Sequence, residues 1–504
     1  MSWDIHLLIA IEEALKNNLA HGDTDIFPVP HIYQHWKKYP QQAIEAVLLL
    51  HEHLQNKTEF TKIECIRSFV PTGPTGFRLG TQIEPVSNLY YLALTLLCAP
   101  LLEVNRQSIP SGRVHSYRYQ AIDSECRIFK PEVGWRSFQL QAKSYGEQFS
   151  YVLVCDIADF YRQIKLHAIE NALIHSNCDP ELIQRILLFL DLLDIPVNGL
   201  PIGGPASRIL AEAALQEVDD ILEHENIIYC RFVDDIRIFT NSQQAAYQHL
   251  LRMNEILYKE GLNLQKSKTR VLTTKEWLAE SSFHQAFTPS KGRIESMEDL
   301  RTLLMMPSLD PYSEMRAQND LRLEEFAQKP QALDFLKREF SKSRLHPVMT
   351  NHLLSSLQFM SEAECEDAFI WLLDIRRSHH LVPLMSKLLH LIARNFSRLP
   401  NPDLLQKAIE NLLCSNHYVS KISLHSVLLI RILQLSKGPV KEETKIYLKK
   451  LFLASSDILI RSEIIILWGT WNDTQELKEL QTHQFIKNVF EQQAFKIAMM
   501  TNAF

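Results

Sequence analysis

Glycine is scarce in this chain, with 14 residues among 504. So little glycine cannot supply the tight turns of an all-β barrel or sandwich, and it suits a helix-rich fold. Cysteine numbers eight, and no two form a CxxC pair. That spread excludes a disulfide scaffold, gives no zinc-ligand spacing and fits a reducing, cytoplasmic setting. Positive charge is not in excess: 53 Lys and Arg face 59 Asp and Glu, a net −6. Any nucleic-acid footprint must therefore be local. Long apolar runs are missing too. No stretch reaches about 18 uninterrupted apolar residues, so no membrane span is expected. The N-terminus, Met1–Leu8, lacks a basic leader, and Glu12 and Glu13 break its apolar run. It reads as an amphipathic helix, not a signal peptide.

What is present divides in two. To about residue 285, β-rich runs such as Tyr151–Cys155 and Ile227–Val233 alternate with helical stretches such as Asp179–Leu193 and Gln244–Glu260. From about residue 296 the pattern is helical almost throughout. Apolar residues recur at helical spacing in Leu353–Met360, Phe369–Ile375, Leu381–Ile392, Leu404–Leu413, Ile422–Leu435 and Leu451–Leu467. Helices of this length with short breaks suggest stacked antiparallel pairs, a HEAT-like helical repeat, or else an irregular bundle. The cluster Thr288-Pro289-Ser290-Lys291-Gly292 marks a linker. The expected organisation is an N-terminal helical segment (1–60), a mixed domain (61–290) and an all-α domain (291–504).

The sharpest local feature is Phe232-Val233-Asp234-Asp235-Ile236 between two β-rich runs, a hairpin with two carboxylates at its tip. Aspartate pairs also serve simply as turn residues. A second carboxylate, Asp156, ends the buried-strand pattern Tyr151–Cys155 and precedes Asp159-Phe160-Tyr161. Helix capping accounts for Asp159 better than for Asp156. If the two strands lie side by side, three carboxylates converge, and such a cluster calls for divalent cations. Oxygen ligands alone select Mg2+, with Mn2+ as a substitute. Two ions roughly 3.5–4 Å apart serve in-line phosphoryl transfer.

Between these lies Leu200-Pro201-Ile202-Gly203-Gly204-Pro205-Ala206-Ser207, a loop entering a helix. Its glycines permit close backbone approach to a ligand or template, but the loop lacks the GxxxxGK[ST] phosphate pattern. Beyond Gly261, Lys266-Ser267-Lys268-Thr269-Arg270 offers either a basic edge strand or a lysine that protonates a leaving group. From Thr61 to Ser150 basic residues outnumber acidic ones ten to seven, opposite to the whole chain.

In order and spacing, Asp156-xxxx-Tyr161, Leu200-Pro201-x-Gly203-x-Pro205-x-Ser207, Phe232-Val233-Asp234-Asp235 and Lys268-Thr269 resemble the A, B, C and D motifs of reverse transcriptases, over about residues 60–275. The resemblance implies an α+β right-hand polymerase with fingers and a ferredoxin-like palm sheet, helices on one face, ahead of the helical-repeat domain. It implies RNA-directed DNA polymerase activity, a nucleotidyltransferase using dNTPs. Asp156, Asp234, Asp235 and the Ile157 carbonyl would hold two Mg2+ ions. Lys268 would act on the leaving group, and Tyr161 would exclude a ribose 2′-OH. Arg118, and secondarily Arg113, would grip the triphosphate, and Gly203 and Gly204 would touch substrate. Departures exist: Phe232 stands for the usual tyrosine, Ile202 for the usual glutamine and Gly204 for the usual serine, and Arg208 and Glu212 are also uncommon. Together with Phe77–Pro85 and Glu103-Val104-Asn105-Arg106, they shift the likeness toward bacterial unknown-group, abortive-infection enzymes. That subgroup implies cytoplasmic antiviral defence against phage, a noncoding RNA template, a DNA product and homo-oligomers. The alternative it offers is template-independent, protein-primed synthesis.

Overall fold

The computed structural model describes residues 3–56, 62–72, 76–194, 199–282, 323–342, 345–436, 438–482 and 485–501. The linker expected at 288–292 lies outside these, as does Asn198. The described residues fall into two compact units: those within 1–65 and 81–285, and those within 66–80 and 314–504.

The first unit opens with α1 (Trp3–His21), α2 (Ile32–Lys38) and α3 (Pro40–Asn56). A two-stranded ribbon of β1 (Cys65–Pro71) and β2 (Phe77–Ile83) follows, and its residues 66–80 belong to the second unit. Next comes α4 (Pro85–Val104), which starts where Glu84 accepts hydrogen bonds from the Val86 and Ser87 amides and Pro85 sets the first turn. By length and hydropathy α4 could cross a membrane, but here it is a core helix, buried over most of its surface and packed on α1.

The sheet that carries the candidate site has strand order β4-β5-β3-β6, all antiparallel: β3 (Tyr151–Asp156), β4 (Ile228–Phe232), β5 (Asp235–Thr240) and β6 (Arg270–Thr273). Helix α5 (Trp135–Gln148) precedes β3. Between β3 and β4 run α6 (Phe160–Gln163), α7 (Leu166–His175), α8 (Pro180–Leu192), α9 (Pro205–Ala214) and α10 (Gln216–His224). Helix α11 (Gln243–Lys259) joins β5 to β6, and α12 (Thr274–Ser282) follows β6.

The apolar run of β3 explains its central place. Leu153 and Cys155 face the large core built with α4, α7, α8, α9 and α11, while Val152 and Val154 face a second cluster containing Phe138 and Ala142 of α5 and Trp277 of α12. Helices therefore cover both faces of the sheet, not one as the resemblance implied. A strand with no polar side chain between Val152 and Cys155 requires this, because either face left to water would expose apolar surface.

Among its described residues from 323 onward, the second unit is helical. Val382–Asn395, Ser423–Leu435, Ile458–Thr470 and Val489–Thr501 pack each on the next, and Glu362–Leu372, Pro402–Cys414 and Glu442–Ala454 form a second row. The stretch expected as one helix across Leu451–Leu467 breaks in two. Asp457 ends it by accepting from the Leu459 and Ile460 amides, which starts a new helix.

Candidate active site

Strand pairing brings the three aspartates together. Asp156 ends β3 directly opposite Asp235 at the start of β5, and Asp234 sits in the turn between β4 and β5. The Ile157 amide donates to the Asp234 carbonyl at 3.1 Å, locking the two segments in register. Asp156 is nearly buried, and Lys268 Nζ donates to its Oδ2 at 2.8 Å. Burial, then the charges of Asp156 and Asp235, raises the Asp234 carboxyl to about 6 from its ordinary 3.8, against the opposing pull of Lys268. Hydrogen bonding to Asp156 raises Lys268 in turn.

Repelling carboxylates with a lysine drawn onto one of them are a donor set suited to a hard cation. Among the described residues, no three His, Cys, Asp or Glu side chains are gathered closely enough to hold an ion as they stand. Asp156 is turned to Lys268, and Asp235 accepts from Arg237 at 3.2 Å.

The turn is held from beneath. Val233 has φ of +57°, a left-handed conformation that a β-branched residue avoids. Its amide donates to Ser116 Oγ at 3.0 Å, and that hydroxyl donates to Glu212 Oε1 at 2.6 Å. Glu212 Oε2 accepts from Arg231 at 2.8 Å and Arg106 at 2.6 Å, and Arg231 pairs with Asp219. These buried charges pair with one another, with Arg106 Nε left without a partner among the described residues, and such a network fixes geometry more than it adds stability.

Tyr161 lies in α6, five residues after Asp156. Its hydroxyl is pushed well above its ordinary range, first by burial and then by the charges around it, Asp234 and Glu212 included. Its carbonyl accepts from the Leu200 amide at 2.8 Å, joining it to the loop before α9. Asp159 caps nothing: it is left-handed, solvent-facing and 3.7 Å from Arg162.

The two fingers arginines are placed elsewhere than expected. Arg118 is buried, with its guanidinium on Glu103 and on the Gln107 carbonyl. Arg113 pairs with Glu223 and lies over the Tyr145 and Tyr229 rings. Both arginines are held by these partners in this structure.

Gly203 and Gly204 likewise serve the chain itself. Gly203 has φ of +120°, and a Cβ there would collide with Thr24 Oγ1; at Gly204 it would meet the Asp23 carbonyl at 3.3 Å. The N-terminal segment 22–27 is therefore seated on this loop. Asp25 accepts from Arg208 of α9, whose guanidinium lies 4.9 Å over the Tyr117 ring.

A cavity of about 370 Å3 is lined by Thr24, Asp25, Tyr117, Arg127, Lys130 and Arg208, among others, and reaches Phe232, two residues before Asp234. Arg127 and Lys130 come from a hairpin bridged at Tyr119 and Phe129. Sequence reasoning passed them over. The available signal was a β-like segment with basic residues following the turn at Asp123-Ser124-Glu125.

Residues 109–298 match the family described as "Reverse transcriptase (RNA-dependent DNA polymerase)". The chain thus carries a reverse transcriptase domain, and by class it is an RNA-directed DNA polymerase, a nucleotidyltransferase that uses dNTPs and makes DNA. Divalent cations are the general requirement of such domains. No curated protein matches the chain. Solved structures similar to it include telomerase from Candida albicans with a fragment of telomeric RNA, at 11% identity over 83% of this chain and 70% of that one, with a TM-score of 0.33. Apo telomerase from Candida tropicalis gives 10% identity over 81% and 70%, with a TM-score of 0.35. Likeness at that level carries no argument about function.

Proposed function

We propose that this protein is a bacterial, cytoplasmic phage-defence reverse transcriptase that copies an associated noncoding RNA into DNA. The observation that carries the polymerase reading is the register of Asp156 against Asp235 beside the Asp234 turn. Asp156, Asp234, Asp235 and the Ile157 carbonyl would hold a pair of Mg2+ ions, which when bound lower the pKa of a 3′-hydroxyl and neutralise the departing pyrophosphate. Lys268 is released from Asp156 to give its proton to that leaving group. Tyr161, five positions after Asp156, would be the gate against a ribose 2′-OH.

Support for the defence role comes from the residues that depart from ordinary reverse transcriptases, Ile202, Gly204, Arg208 and Glu212, together with two rows of C-terminal helices read as a HEAT-like repeat. Homo-oligomers are expected from the same likeness. Expressing the wild type and the Asp234→Ala, Asp235→Ala double variant in bacteria and counting phage plaques tests the role: protection by the first alone supports it, equal plaquing refutes it.

A second reading, template-independent and protein-primed synthesis, is favoured by one observation. Segment 22–27 covers the Gly203-Gly204 loop that a template is expected to approach. Sequencing the DNA product separates the two: a complement of a co-purified RNA favours the first, a sequence with no such complement the second.

A further inference from the structure

The cavity that reaches Phe232 has an unusual wall: part of it is the chain's own N-terminal segment. Thr24 and Asp25, with Asn17 and His21 of α1, line it together with the hairpin residues Arg127 and Lys130. Its volume, about 370 Å3, suits a nucleotide-sized ligand. Tyr117, Phe129 and Trp135 contribute aromatic surface, which suits the face of a base.

The wall is built in. Helix α1 packs on α4 through Leu7, Ile11 and Ala14, all within the main core. On the other side of the segment Phe27 and Tyr33 are buried, and Asn18 donates to the Tyr33 hydroxyl at 3.2 Å. Asp23 is buried as well, and the Asp25 amide reaches the Gly203 carbonyl at 3.4 Å. Displacing the segment would require unpacking the helix that carries it.

A carboxylate and a guanidinium side by side present an acceptor next to donors, the pattern that matches the polar edge of a nucleobase. Asp25 is mostly exposed toward the cavity side, and Arg208 is braced by the Tyr117 ring beneath it. The Tyr117 ring under Arg208 lies 6.0 Å from the ring of Phe232, two residues before Asp234, so a nucleotide with its phosphates at the aspartates carries its base toward this pair.

From this arrangement we propose that Asp25 and Arg208 form a base-recognition site, through which the protein itself selects the incoming nucleotide. The proposal rests on the second, template-independent reading of the polymerase site and specifies how that site chooses its substrate. Asp25 accepts from an N–H of the base while Arg208 donates to a neighbouring carbonyl or ring nitrogen. Their present ion pair opens to admit the base between them.

The test is single-nucleotide addition with each dNTP and Mg2+ or Mn2+, by the wild type and by Asp25→Asn, Asp25→Ala and Arg208→Gln. The ratio between the best and worst dNTP should fall about tenfold in each variant, the effect of one lost base-edge contact. Equilibrium binding of each dNTP to Asp234→Asn, with and without Asp25→Asn, gives the same ratio where a variant is too slow to assay. Ratios unchanged within about twofold, well short of the loss of one base-edge contact, overturn the proposal. So does nucleotide choice that simply follows an added RNA template. A wild type that adds no nucleotide overturns the polymerase reading itself, whereas addition with unmoved ratios overturns only the role of Asp25 and Arg208.

Discussion

The amide of Val233 donates to the hydroxyl of Ser116, at 3.0 Å and across 117 positions of sequence. This one bond holds a valine in a left-handed turn directly before Asp234. Ser116→Ala leaves that buried amide without its acceptor, so stability should fall by about 1–3 kcal/mol in denaturant unfolding. Nucleotide addition should slow about tenfold, with KM for dNTP little changed, because the turn and not the nucleotide cavity has moved. A matching rise in KM would assign Ser116 to substrate binding instead.

Asp234 makes stability depend on pH. Its folded carboxyl, near 6, binds a proton more tightly than its unfolded form near 3.8. The contribution of this group is thus fully present below about pH 4 and is lost as pH rises through 6. Asp234→Asn removes that loss. In EDTA the variant should melt above the wild type at pH 7.5, and the gap should close below pH 4. Added Mg2+ should raise the wild-type melting temperature at pH 7.5 and leave the variant nearly unmoved.

Much of this site is legible in the sequence because the chemistry is local. A strand that is wholly apolar from Val152 to Cys155 and then ends in Asp156 announces both its burial and its carboxylate. Long-range partners are different. Arg118 reads as a free cation until the fold brings Glu103 onto it, and Arg113 does so until Glu223 arrives from 110 residues away. Gly203 reads as a ligand loop, yet Thr24 occupies the space its missing side chain leaves. The segment Gly22–Phe27 has no periodicity and reads as plain loop; only its seat on Gly203 gives it meaning. The second helical unit differs, since Ser455-Ser456-Asp457 interrupts the apolar spacing across Leu451–Leu467 and marks in the sequence the break found there.

Lys268 is poised on Asp156 and is mostly exposed. Lys268→Ala should slow incorporation roughly 100-fold, the usual scale of a lost proton donor. Nucleotide affinity should hardly change. A solvent-isotope effect on the rate that disappears in the variant would mark the proton transfer; an unaffected rate would leave Lys268 a surface partner of Asp156.

Tyr161→Ala should admit ribonucleotides, lowering the preference for dNTPs over NTPs roughly tenfold or more in competition assays. Unchanged sugar discrimination would remove the gate from Tyr161.

The central claim is that Asp156, Asp234 and Asp235 act as one centre for joining nucleotides. Its most direct test is incorporation of labelled dNTPs with Mg2+ by the purified wild type and by the Asp234→Ala, Asp235→Ala double variant, each checked for folding by circular dichroism and thermal melting. Incorporation by the wild type and none by a folded double variant is the predicted result; normal incorporation by that variant would contradict the account.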